Sequence, residues 1–174
     1  VQFSGNDMRV TIRQEVGTDQ QTIYEVTKAA FAPMPFSQGD EQDLVNHLRT
    51  RGALAVSLVA EVEGEVIGHV ALSPATHSST ALGWFGLGPI SVAPEFQGRS
   101  IGGKLIAAAQ DWIIKQGGVG CILVGNPAYY SRHGFELQPN HAPDREPKQY
   151  FMVWQPLKQI PEGLFEFHPV FYNP

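Results

Sequence analysis

The stretch Ile90-Ser91-Val92-Ala93-Pro94-Glu95-Phe96-Gln97-Gly98-Arg99-Ser100-Ile101-Gly102-Gly103 runs from an apolar, β-branched segment through a proline kink into a glycine-rich turn. The next segment of chain gives the turn its meaning. Leu105, Ile106, Ala109, Trp112 and Ile113 share one face of a helix predicted over 104–116, which Gly117-Gly118 ends. Residues 97–103 thus lead from a strand into a helix. The first turn of a helix carries free amides and the positive end of the dipole. Gly98, Gly102 and Gly103 let a ligand approach that backbone with no side chain in the way. The turn is shaped to hold a phosphate-bearing ligand, with Arg99 and Lys104 adding positive charge.

Outward from this turn, the apolar run 121–124 reads as a buried strand. Strand, helix and strand form a crossover unit, so it should run parallel to the strand ending at Val92. Asn126-Pro127 is a helix start, with Asn as the cap and Pro at the first helical position; Gly134 ends that helix. Residues 135–137 and 150–154 read as closing strands, and the aromatic, proline-rich tail to Pro174 has no readable period. On the N-terminal side, 9–14 reads as a first strand. Thr18 and Gln21 have the spacing of a capping box, and Ile23, Val26 and Ala30 mark one face of a helix stopped by Pro33 and Pro35. A loop at 33–39 leads to a second helix over 40–51, with Leu44, Val45 and Leu48 on one side and Gly52 past its end. The valine-rich segments 54–62 and 66–72 should pair antiparallel through Glu63-Gly64-Glu65. A polar loop is expected over 73–80, then a strand over 81–92 whose glycines at 83, 86 and 88 mark bulges or close backbone approach.

Three phosphate-binding chemistries compete for the turn. A dinucleotide fingerprint requires G-x-G-x-x-G, which this spacing does not give. A P-loop comes nearer, since Gly98 to Lys104 satisfies G-x-x-x-x-G-K, but Leu105 stands where Ser or Thr must hold magnesium. The third is a coenzyme A pyrophosphate site, and here the chain resembles the GCN5-related N-acetyltransferase (GNAT) family, in its small bacterial branch. That family carries Q/R-x-x-G-x-G/A after its fourth strand. Gln97-Gly98-Arg99-Ser100-Ile101-Gly102 matches it with Ser100 in place of the first glycine, a position where a positive φ would weaken binding. A second landmark agrees: in Asn126-Pro127-Ala128-Tyr129-Tyr130-Ser131-Arg132-His133-Gly134-Phe135, Tyr130 stands four residues before Gly-Phe, as the family's tyrosine does.

The resemblance implies an α/β (α+β) acyl-CoA N-acyltransferase fold: a mixed central sheet, mostly antiparallel with one parallel crossover pair, flanked by helices. It implies acetyl-CoA as co-substrate and a primary amine as acceptor. The main chain of Ile90, Ser91 and Val92 would bind the pantetheine arm, with the Val92 amide near the thioester oxygen. Gln97, Gly98, Arg99, Ser100, Ile101, Gly102 and Gly103 would hold the pyrophosphate, and Tyr130 would serve the departing thiolate. Asn126 is a further cofactor contact under this reading, although capping alone explains it. The alternative is a domain that binds acyl-CoA without turnover. The family's acceptor pocket would be closed by 33–39 and 138–149. Glu61, His69 and His77, on or beside the central strands, are the candidates for a general base, each with a plain structural explanation as well.

Bulk properties set outer limits. At 174 residues, 43% hydrophobic, the chain is sized for one domain. A net charge of -5 argues against nucleic acid as a partner, since backbone binding needs clustered Lys and Arg. No apolar run is long enough to span a membrane, which gives an expectation of a cytoplasmic protein; a homodimer is left open. One cysteine, Cys121, allows no internal disulfide, and the scattered histidines have no metal-ligand spacing, so no metal is expected. Residues 1–7, polar and followed by Met8, read as an added or disordered leader.

Overall fold

The computed structural model describes residues 9–174; the expected leader at 1–7 lies outside the described residues. Strand β1 (Val10–Gln14) precedes helices α1 (Gln20–Phe31) and α2 (Glu41–Thr50). Three antiparallel strands follow: β2 (Val56–Val62), β3 (Glu65–His77) and β4 (Trp84–Val92). Helix α3 (Ile101–Lys115) crosses to β5 (Gly120–Val124), and the short α4 (Pro127–Tyr130) leads to β6 (Glu136–Leu137), β7 (Phe151–Trp154) and β8 (Phe165–Glu166). The sheet order is β1-β2-β3-β4-β5-β7-β6, with β8 paired to the far end of β3. Among the described residues only β4 and β5 run parallel, as the crossover requires.

Alternation along the strands divides the core. Leu58, Ala60, Val70 and Leu72 pack with Leu105, Ile106, Ala109 and Ile113 of α3 on one face. Val59 packs with Ile23 and Val45, and Ala71 with Leu48, on the face covered by α1 and α2. Burying each of the Val, Leu and Ile side chains among these contributes about 1.5–3 kcal/mol. The β2–β3 turn has positive φ at both Glu63 (50°) and Gly64 (80°), the twist that a two-residue hairpin prefers.

Several expectations need correction. The 73–80 segment is not a loop: β3 continues to His77, paired with Trp84–Leu87 as far as Ala75 and with β8 at Thr76 and His77. The anticipated Thr18–Gln21 box is replaced by Asp19, whose carboxylate accepts the Val16 N–H (2.7 Å) and is held by Arg13 (2.7 Å). Helix α3 begins at Ile101, so Gly102 and Gly103 lie inside its first turn rather than ahead of it. The tail, read as patternless, supplies β8 and lays Val170 against Leu48 and Ala71.

Candidate active site

The site is made by a fault in the sheet. Val70 pairs with Ile90 but Leu72 pairs with Leu87, so Gly88 and Pro89 stand opposite Ala71 alone. Such a bulge bends its strand. The parallel pairing of β4 with β5 covers only Trp84, Phe85 and Gly86, and beyond it β5 pairs with β7 on its other side. The last part of β4 therefore has an open edge.

That edge carries directed hydrogen-bonding groups. The Ala93 N–H donates to the Ile67 carbonyl (2.8 Å), which makes Ala93 and Ile67 a hydrogen-bonded pair. By antiparallel alternation Ser91 and His69 form the next such pair, and the peptide groups of Ile90 and Val92 turn away from β3 toward the split. The Gln97 side-chain amide donates to the Val92 carbonyl (3.0 Å). Ser91 itself is tied inward, its hydroxyl 3.3 Å from that of Thr27 on α1.

Next to this edge lies a cavity of about 370 Å³. Val92, Phe96, Gln97, Gly98, Ser100, Ile101, Gly102 and Gly103 line one side, and Tyr129, Arg132 and His133 the other. Gly98 (φ 77°) makes the turn. Ser100 holds φ 63° and ψ 17°, so the one departure from the glycine pattern falls on a left-handed residue, at a conformational cost of about 1 kcal/mol. A Cβ at Gly102 would stand 2.6 Å from the Tyr129 hydroxyl, and one at Gly103 2.9 Å from the His133 ring. The space over the helix N-terminus exists because these two residues are glycine. Arg99 stands over the Phe96 ring at 5.6 Å, and Arg132 over Tyr129 at 5.3 Å. Arg99 and Lys104 are absent from the cavity lining, whereas Arg132 supplies its cation.

The structure brings Val92 and the 97–103 turn together, less Arg99, and sets the rest of the expected residues around them. Ile90 and Ser91 lie on the strand leading in. Asn126 caps α4, accepting the Ala128 N–H (3.0 Å), and stands outside the lining. Tyr130 also stands outside it: its ring packs edge-on to Tyr129 and Phe135 and touches Gly125 so closely that no Cβ fits there. Burial pushes the Tyr130 phenol up to about 12, so it stays protonated at neutral pH. Arg132 and His133 were overlooked as cavity residues, although both lie within the Tyr130 landmark.

None of the candidate bases reaches the cavity. Glu61 is bound to Arg13 (2.6 Å), with which Asp19 also pairs. His77 bonds Ser79 (2.7 Å) and packs on Phe165. His69 is fully buried, its Nε2 hydrogen-bonded to the Ser57 hydroxyl (2.7 Å) and its Nδ1 without a partner. Burial, with a smaller contribution from Arg49, pushes His69 down to about 3. Since the unfolded ring titrates near 6.5, the unfolded chain binds the extra proton between these values, and stability falls as pH drops through that window. Between pH 7 and pH 5 His69 is expected to cost about 2 kcal/mol; urea unfolding of wild type and His69→Leu at both values reads this as a smaller pH dependence in the variant. Burial likewise pushes the Cys121 thiol up, which leaves it inert. Among the described residues, no three His, Cys, Asp or Glu form a metal-binding group, and no helix is long and apolar enough to cross a membrane.

A glycine turn opening into a helix thus stands beside a strand whose outer amides face a split sheet. Comparison with known proteins assigns the family. The profile of the acetyltransferase (GNAT) domain matches residues 54–137. The uncharacterized N-acetyltransferase YhbS of Escherichia coli (strain K12) is 34% identical over 131 residues, 75% of each chain. Among solved structures, a GNAT family acetyltransferase from Brucella melitensis in complex with acetyl-CoA is 39% identical, with a TM-score of 0.82 over 94% of this chain and 98% of that one. E. coli YhbS in complex with CoA is 31% identical, with a TM-score of 0.84 over 95% and 93%. The chain belongs to the GNAT family of acetyl-CoA-dependent N-acetyltransferases.

Proposed function

We propose that the protein moves acetyl directly from acetyl-CoA to a primary amine within a ternary complex. The observation that carries this reading is the open β4 edge, whose outward amides end at the glycine cradle. The first turn of α3 takes the pyrophosphate, with Arg132 beside it. The arm lies along Ile90–Val92 as an added strand, its phosphate end at Val92, which lines the cradle, so that the outward Ile90 N–H at the other end, rather than that of Val92, donates to the thioester oxygen. Such a donor, aimed at a developing oxyanion, is worth roughly 3 kcal/mol in acyl transfer. The neutral amine nitrogen attacks the carbonyl carbon. The C–N bond forms, the C–S bond breaks, the nitrogen gives up one proton and the sulfur receives one. Tyr130, protonated at neutral pH, offers its O–H to the leaving sulfur.

Incubation with acetyl-CoA and a panel of amines tests this. Thiol release matched mole for mole by acetylated amine in mass spectra is expected. Coenzyme binding by calorimetry with no thiol release on any amine would instead establish the non-catalytic alternative.

A further inference from the structure

A second cavity, of about 240 Å³, opens on the α1 and α2 side of the same split. Its floor is Leu87, Gly88 and Pro89 of β4 and Val124 of β5, all beyond the last parallel pair, where the thioester of the proposed reaction must present its carbonyl. Phe31 and Phe167 make its walls apolar. Away from the sheet it shares Glu41, Leu44, Glu146 and Phe171 with an adjoining cavity that runs on to Asp40 and Asp43. The order along this passage is therefore split, apolar channel, carboxylates. Neither lining includes Lys or Arg among the described residues. The two carboxylates at the junction are set in place: Ser37 donates to Glu41 (2.6 Å) and Tyr172 to Glu146 (2.6 Å).

We propose that the acceptor is a small diamine, its reacting amine at the strand split and its second cation held between Glu41 and Glu146. This rests on the acetyltransferase reading above. The apolar walls between the split and the carboxylates suit an aliphatic spacer. Charge selects the far end. A monoamine leaves an uncharged terminus against two anions, and an amino acid places a like charge there, whereas a second ammonium forms charge-assisted hydrogen bonds.

The test uses 1,5-diaminopentane, pentylamine and 5-aminopentanoate, each titrated by calorimetry into the protein with CoA and each assayed for thiol release from acetyl-CoA. The diamine should exceed pentylamine in kcat/KM by about tenfold or more, with 5-aminopentanoate inert. Glu41→Gln and Glu146→Gln, checked for folding by thermal unfolding, should each narrow that ratio, as should added salt. Equal or better use of pentylamine or 5-aminopentanoate, or a ratio that neither variant moves, overturns the diamine site and leaves the acetyltransferase reading intact. Diamine binding that depends on Glu146, without thiol release, upholds the site and overturns that reading. Absence of both binding and turnover for all three amines overturns the diamine site.

Discussion

Tyr130→Phe is expected to lower kcat about 100-fold while leaving KM for acetyl-CoA within about twofold of wild type. The substitution removes one oxygen and keeps the ring, so the contacts with Phe135 and Gly125 persist and the fold is undisturbed. What is lost is the only group proposed to serve the leaving thiolate, an interaction made as the C–S bond breaks and not before. Tyr129→Phe provides the contrast. Tyr129 lines the cavity over the α3 N-terminus beside Gly102, where the phosphates are proposed to bind, and its loss should act on KM for acetyl-CoA with a smaller effect on kcat. Steady-state kinetics of the two variants separates these roles, and a fall in kcat confined to Tyr129→Phe would reverse the assignment.

Gly102→Val should weaken coenzyme A binding by about 100-fold or more, close to 2.7 kcal/mol, in calorimetric titration. Gly102 is in the first turn of α3, where a side chain projects into the cavity and its Cβ meets the Tyr129 hydroxyl at 2.6 Å. Valine fills the space a phosphate must occupy and pushes that hydroxyl aside. The helix itself tolerates the change, since its buried face is carried by Ile101, Leu105 and Ile106. A folded variant with unchanged affinity would place the phosphates elsewhere.

Much of the architecture was legible because local signals and burial agreed. The α3 stripe, the Glu63-Gly64 turn, the Asn126 cap and the strand-helix-strand crossover each come from one physical rule, and each stands in the structure. The second half of β3 was not legible for an equally physical reason. Ser73, Ala75 and His77 point inward and Pro74 and Thr76 outward, a strand alternation, but small or polar inward residues hide the hydrophobic period and Pro74 signals a loop. The cavity at the 97–103 turn was readable because it depends on backbone and glycine, which have a fixed spacing. The proposed acceptor side is assembled from α1, α2, β4, β5, the 138–149 stretch and the tail. Glu41 and Glu146 lie 105 residues apart and meet only through tertiary packing, so no spacing announces them. Ser100 shows the opposite case, a departure visible in sequence whose left-handed backbone makes it a point of strain.

The most direct measurement is a crystal structure of the protein with acetyl-CoA. The pyrophosphate is expected on the amides of 98–103, the pantetheine arm along Ile90–Val92 between β4 and β5, and the thioester oxygen within hydrogen-bond distance of the Ile90 nitrogen, with the Tyr130 hydroxyl near the sulfur. Electron density for the thioester outside the split, or a sulfur beyond reach of Tyr130, would contradict this mechanism.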